Sequence, residues 1–462
     1  MRVVPMSAEV RPGDCRDTLR TMAALGEQFD SVVTDPPYDL VSIVKRFGGA
    51  GAAPVKHGTD GLYARQSAGF MGKKWDGTGV AFDPDTWRLV MDVMKPGAQL
   101  VAFGGSRTHH RMATAIEDAG FEIRDSLMWL YGSGFPKSHD VSKGIDKAAG
   151  AVREVVGLSQ NSRATQNIGA RGFDAAIGGS ALGGINLTAP ATPEAVQWAG
   201  WGTALKPAFE LITLARKPLG RNTVAANVLE FGTGALNIDA CRVAFEGCDT
   251  TASAASAGAG SGQFGPIGFA RGIVSPPHAL GRWPANVLHD GSEEVLEAFA
   301  RFGESKSSTA AGRYCAGAPS KAKGAESARV GFGHGDSGTA ARFFYCAKAN
   351  AADRAGSKHP TVKPQALMRW LCRLITPPGG RVLDPFAGSG STLQAALACG
   401  FGASGCEADP GYGLDIHARL RAAENPADAQ MRVEAERKCK NLKEDIHQID
   451  LEEYLAGVRN GA

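Results

Sequence analysis

The stretch Arg381-Val382-Leu383-Asp384-Pro385-Phe386-Ala387-Gly388-Ser389-Gly390-Ser391-Thr392 reads as a buried strand, a glycine turn and the start of a helix. Gly388 and Gly390 allow a close backbone approach that side chains would block. A helix opening straight after such a turn presents free N–H groups to whatever lies beyond the strand end. Downstream, 391–399 reads as that helix, 402–406 as a further strand ending at Glu407, and 411–422 as helix again. In doubly wound folds an acid at that second strand end bonds ribose hydroxyls, so the spacing fits a nucleoside ligand. No lysine follows the glycines, which excludes a P-loop, and the pattern is not G-x-G-x-x-G, which weighs against a dinucleotide. Taken alone, the turn is either a ligand cradle or an ordinary strand-to-helix connection.

Upstream of this stretch, Pro364 suits the first turn of a helix, and Leu367, Trp370, Leu371 and Leu374 share one face of it. Near the N-terminus, residues 29–34 read as a short buried strand that ends abruptly at Asp35-Pro36-Pro37-Tyr38. Two prolines forbid both a helix and a central strand there. A carboxylate and an exposed carbonyl can together accept hydrogen bonds from one planar NH2 group, and Tyr38 adds a flat ring for stacking. A lone Asp-Pro-Pro would be an ordinary turn; a second loop of complementary chemistry on the chain favours a site. Residues 85–95 read as a helix ended by Pro96-Gly97, 100–103 as a strand, 107–119 as a helix and 121–131 as a strand. The alternation predicts an α/β fold with a parallel sheet. Both motifs then sit at carboxyl ends of strands and line one crevice, although about 350 residues separate them. Phe343-Phe344-Tyr345 reads as another buried strand.

These motifs resemble those of the amino-group DNA methyltransferases that use S-adenosylmethionine. Asp35-Pro36-Pro37-Tyr38 is similar to their catalytic motif, and Asp384 to Gly390, running into Ser391 and Thr392, to their cofactor motif. His359-Pro360-Thr361-Val362-Lys363-Pro364 resembles the motif just upstream, whose Thr361 and Lys363 positions lie near the methionine end of the cofactor. Gly13-Asp14-Cys15 resembles the turn near the cofactor adenine, and Glu407 the ribose acid. The candidate cofactor residues are therefore Asp14, Cys15, Thr361, Lys363, Asp384, Pro385, Phe386, Gly388, Ser389, Gly390, Ser391, Thr392 and Glu407. The order of motifs resembles the beta class, and 201–245 and 281–291 look like phage and prophage members.

The resemblance implies a doubly wound, mostly parallel, Rossmann-like class I sheet with a long irregular insertion. It divides the chain into a catalytic half (1–145), a target-recognition and DNA-binding insertion (146–340), a cofactor-binding half (341–425) and a charged helical tail (426–462). The implied reaction is methyl transfer from S-adenosylmethionine to the N6 amine of a flipped-out adenine in double-stranded DNA. The Asp-Pro-Pro-Tyr form leans to adenine, with N4-cytosine methylation the nearest rival. A DNA-binding module that has lost catalysis is a further alternative, against which Asp35, Tyr38, Gly388 and Glu407 stand intact. No metal and no covalent enzyme intermediate are expected, so Cys15 reads as a cofactor-loop or core residue. Such an enzyme is either solitary or paired with a separate restriction endonuclease, and related enzymes often form homodimers.

Composition agrees and adds a boundary. Glycine supplies 60 of 462 residues, well above the usual share of about 7%. There is no three-residue period, and hydrophobic residues make up 43% of the chain, so neither collagen nor wholesale disorder fits. Of those glycines 29 fall within 151–350, the irregular middle. Net charge is only +3, yet residues 301–380 carry 13 basic against 4 acidic side chains, which suggests an anionic partner. Arg313, Lys321, Lys323 and Arg329 in that block are candidates for phosphate contacts, or else a solvated loop. Lys73, Lys74 and Trp75 follow a glycine-dotted loop and either meet DNA or combine solvated lysines with a core tryptophan. Nine scattered cysteines without a C-x-x-C pair fit neither a disulfide scaffold nor a zinc site. No apolar run is long enough to span a membrane and no signal peptide opens the chain, so a cytoplasmic protein is expected.

Overall fold

The computed structural model describes residues 7–39, 78–132, 134, 138–158, 186–244, 281–306, 311–312, 330–331, 337–347, 353 and 362–424. Two units separate: residues 1–132 with 209–462, and residues 133–208.

The larger unit is built on a nine-stranded sheet. Its strands are β1 (Ala8–Pro12), β2 (Phe29–Thr34), β3 (Met94–Gly104), β4 (Glu122–Leu130), β5 (Phe209–Arg216), β6 (Val287–His289), β7 (Tyr345–Cys346), β8 (Arg381–Asp384) and β9 (Gly402–Glu407). Their order is β1-β9-β8-β2-β3-β5-β4-β6-β7. Every neighbouring pair is parallel except those made by β5, which runs antiparallel to both β3 and β4. The expected doubly wound, mostly parallel sheet is thus present.

Period-two alternation explains why both faces are covered. Val32 of β2 and Leu100 and Ala102 of β3 pack with Leu19, Met22, Trp87, Val90, Met112 and Ile116. Those side chains come from α1 (Cys15–Ala24), α2 (Pro84–Asp92) and α3 (His109–Asp118). The intervening residues Val33, Val101 and Phe103 face the other way, onto Leu367, Trp370, Leu371, Leu393 and Ile416. These belong to α4 (Gln365–Ile375), α5 (Ser391–Ala398) and α6 (Pro410–Glu424).

Three expectations change. Residues 146–340 do not form one insertion outside the sheet: β5 and β6, both within that range, pair inside it. The unit that clusters apart is 133–208. The reason is that β5 returns to the sheet between β3 and β4 and pairs with both. Pro96-Gly97 does not simply end a helix but lies inside β3, where the pairing register with β2 shifts. The Pro96 carbonyl, displaced from the ladder, accepts from Asn227 Nδ2 at 2.9 Å. Finally, Phe343 is not in a buried strand; it ends a short 3-10 turn, 37% exposed, with the Arg342 guanidinium over its ring.

The unit at 133–208 is organised by one buried carboxylate. Asp146 accepts from Ala191 N and Thr192 N, both at 3.0 Å, and pairs with Arg153. Among the described residues no helix is long and apolar enough to cross a membrane.

Candidate active site

Strands β8 and β2 are parallel neighbours, with Leu383 opposite Val32, so the two Asp-Pro turns leave the sheet side by side. At the end of β8 the buried Asp384 Oδ1 accepts from Thr34 Oγ1 at 2.7 Å and from Phe386 N at 3.1 Å. Burial pushes this carboxyl up to about 6, against the pull of its Thr392 and Thr34 contacts. Pro385 is buried behind it, and Phe386 packs against Trp87.

The glycine turn follows. Gly390 sits at φ 73°, and a Cβ there would lie 2.9 Å from Ile416 Cγ2, so only glycine fits. Gly388 N donates to Glu407 Oε2 at 2.8 Å, and Asp409 N to Glu407 Oε1 at 2.7 Å. The Glu407 carbonyl in turn accepts from Gly13 N at 2.9 Å. Glu407 therefore joins three turns: the one after β1, the one after β8 and its own. Burial pushes its carboxyl up to about 7. Ser389, Ser391 and Thr392 are buried where α5 opens, with the Ser389 and Ser391 hydroxyls 3.0 Å apart. At the turn after β1, Asp14 caps α1 by accepting from Arg16 N at 2.9 Å. Hydrogen bonding from the Arg16 side chain holds the Asp14 carboxyl below its ordinary value. Burial pushes the Cys15 thiol up to about 12, which leaves it unionised and a poor nucleophile.

The turn after β2 is built differently. Asp35 Oδ2 is 3.2 Å from the Lys363 ammonium, while Asp35 Oδ1 is buried with no hydrogen-bond partner among the described residues. Lys363, from the segment entering α4, also donates to Glu210 Oε2 at 2.7 Å and to the Tyr38 hydroxyl at 3.0 Å. The Tyr38 hydroxyl donates to Glu210 Oε2 at 3.2 Å. Thr108 Oγ1 holds the Tyr38 carbonyl at 2.8 Å. Gly105 lets the ring approach, since a Cβ there would stand 3.0 Å from Tyr38 Cδ2. The Lys363 ammonium lies 4.6 Å from the centre of the Phe103 ring.

Electrostatics follow from this packing. Burial raises the Asp35 carboxyl above the ordinary value; Lys363 opposes that shift, and the negative charge of Glu210 adds to it. Burial would drive the Lys363 proton off, but the carboxylates of Asp35 and Glu210 outweigh it and raise its pKa. Burial, with the charges of Asp35 and Glu210, raises the Tyr38 phenol well above its usual range.

The structure thus brings Asp35, Pro36, Pro37 and Tyr38 beside the turn from Asp384 to Thr392, with Lys363 touching the Asp35 loop and Glu407 and Gly13 tied to the glycine turn. Thr361, Lys73, Lys74, Trp75, Arg313, Lys321, Lys323 and Arg329 lie outside the described residues. Sequence reasoning missed Glu210. The available signal was the one charged residue near the start of Phe209-Glu210-Leu211-Ile212-Thr213-Leu214-Ala215.

A family model described as DNA methylase, N6_N4_Mtase, matches residues 293–416. Among solved structures, a complex of M1.HpyAVI with SAM is similar at 12% identity, covering 89% of this chain and 98% of that one, with a TM-score of 0.35. The PvuII DNA methyltransferase, cytosine-N4-specific, is also similar at 12% identity, over 89% of this chain and 86% of that one, with a TM-score of 0.35. Structural likeness this loose carries no argument about function. The matched range holds Lys363, the Asp384 turn and Glu407, so residues 293–416 are similar to the DNA methylase family model.

Proposed function

We propose that the protein transfers a methyl group from S-adenosylmethionine to the exocyclic N6 amine of an adenine flipped out of duplex DNA. The observation that carries this reading is Asp35 Oδ1, buried, without a partner among the described residues, and one strand away from a glycine turn. A buried carboxylate oxygen left bare is costly unless a ligand completes it.

The residues present fit the cofactor. Gly388 and Gly390 both take positive φ in a tight turn that opens α5, the Glu407 carboxylate accepts from the backbone of that turn, and the Gly13-Asp14-Cys15 turn is tied to Glu407. In this reading Glu407 takes the ribose hydroxyls, the turn at Asp14 and Cys15 borders the adenine, and the segment from Asp384 to Thr392 closes on the rest. When bound, S-adenosylmethionine supplies a methyl group already activated on a sulfonium, so alignment is much of the catalysis.

The chain's own groups supply that alignment. Taking the target base out of the stack costs a few kcal/mol, and stacking on Tyr38 returns about 1–3 kcal/mol. Asp35 Oδ1 and the Pro36 carbonyl accept the two amine hydrogens, which leaves the nitrogen lone pair pointing out of the pair. Asp35 is also the base at hand for the proton the amine sheds, and its raised pKa suits that role. Adenine is chosen over cytosine on the Asp35-Pro36-Pro37-Tyr38 form. DNA recognition is assigned to the glycine-rich middle and its basic block.

The test is methyl transfer from tritiated cofactor to duplex DNA, followed by digestion and mass spectrometry of the nucleosides. N6-methyladenine is expected. N4-methylcytosine alone would replace adenine as the target, and label appearing equally with Asp35→Ala would remove Asp35 from the mechanism.

A further inference from the structure

Glu210 belongs to no motif in the sequence, yet it makes the shortest polar contact in the Asp35 cluster. Its place follows from topology. Because β5 runs antiparallel, its first residues lie beside the last residues of β3 and β4: Leu211 opposes Gly104, and Glu210 opposes Trp129. An acid at the start of β5 is thereby carried into the crevice at the carboxyl ends of the parallel strands.

We propose that Glu210 is a positioning residue that, by holding Lys363 and Tyr38, decides which oxygen of Asp35 meets the substrate amine. The inference rests on the methyltransferase reading of this site. A lysine ammonium has three donors. Here they go to Glu210 Oε2 at 2.7 Å, the Tyr38 hydroxyl at 3.0 Å and Asp35 Oδ2 at 3.2 Å. Anchored on Glu210, Lys363 engages one oxygen of Asp35 and leaves Oδ1 bare. Without the Glu210 carboxylate, Asp35 becomes the only anion paired with Lys363 among the described residues. The ammonium then settles fully on Asp35 and competes with the incoming amine for the same acceptor. Glu210 also accepts a hydrogen bond from the Tyr38 hydroxyl at 3.2 Å, which together with Thr108 fixes the plane of the stacking ring. With Asp35 and Glu210 ionised and Lys363 protonated, the cluster carries one net negative charge; removing the Glu210 charge makes it neutral.

The test is Glu210→Gln in the full-length enzyme, which keeps side-chain volume and removes the charge. The expected result is a kcat lower by about 10- to 100-fold, the scale of a lost hydrogen bond to a charged group, with KM for duplex DNA little changed. The acid limb of the kcat–pH profile should move to lower pH, because the like charge that helps hold the Asp35 proton is gone. Unchanged kcat with an unmoved acid limb would overturn the proposal. So would a fall in kcat with an unmoved acid limb and a lowered melting temperature, which is what a purely structural role produces. A second measurement needs no turnover. The Lys363 ammonium should give an exchange-protected 1H–15N signal in the wild type that Lys363→Met abolishes and Glu210→Gln displaces or broadens; a signal indifferent to Glu210→Gln would refute the anchoring. If the wild type transfers no methyl group to DNA, the functional reading falls, while the ammonium signal still reports whether Glu210 holds Lys363.

Discussion

Two turns that both open with Asp-Pro leave adjacent parallel strands, and they behave in opposite ways. Asp384-Pro385 and Asp35-Pro36 each follow a buried strand, and burial raises both carboxyls. Asp384 spends its acceptor capacity inside the fold, on Thr34 Oγ1 and Phe386 N, and so clasps the two strands together. Asp35 commits one oxygen to Lys363 and keeps the other bare. The lesson is that burial of a carboxylate alone does not mark catalysis. What separates the two is whether the fold has already supplied the partners. The two turns are also coupled, since the residue before Asp35 is the donor to Asp384.

The largest effect should come from Asp35→Ala. Loss of the acceptor and base should lower methyl transfer by about 10²- to 10⁴-fold while barely moving the thermal midpoint, because the donors it meets among the described residues, Lys363 and Tyr38, are both also held by Glu210. Parallel assays of methyl transfer and thermal unfolding check this; a large loss of stability with activity retained would erase the distinction between the turns.

Asp384→Ala should do the reverse in kind. It strands the Thr34 hydroxyl and the Phe386 N–H, at about 1–3 kcal/mol for each buried donor, and urea unfolding should show a lower midpoint. A neutral result would mean that Asp384 is as open as Asp35.

The smallest effect, and the sharpest for the comparison, concerns Glu407, a third acid at a strand end. Its carboxyl lies at about 7 in the folded protein, above the ordinary 4.5. The folded state therefore binds a proton more tightly than the unfolded chain. The stability from that proton is fully present below about 4.5 and is lost as pH rises through about 7. Glu407→Gln cannot titrate, so melting temperatures measured across that window should fall less steeply than for the wild type. Identical slopes would show that Glu407 is not held in this state.

Much of this was legible along the chain because the relevant signals are local. Runs such as Phe29 to Thr34 and Arg381 to Asp384 announce strands by their own side chains. Proline and glycine announce the turns, because φ restrictions act within a residue or two. Pro96-Gly97 misled for the same reason: the local rule favours a stop, and the contact with Asn227 that lets β3 continue comes from 131 residues away. Glu210 was illegible because its meaning depends on β5 running antiparallel between β3 and β4, a fact no neighbour in sequence encodes.

The sequence by itself determined the alternation of strands and helices, the two Asp-Pro turns at strand ends, and the glycine positions that leave room for a ligand. Only the tertiary structure decided which carboxylate is satisfied and which is left open. That choice is made by donors that arrive from far along the chain: Thr34 reaches Asp384 across 350 residues, and Lys363 reaches Tyr38 across 325. Propensity is set by adjacent atoms, whereas burial and hydrogen-bond partnership are set by whichever segments the packed sheet brings together.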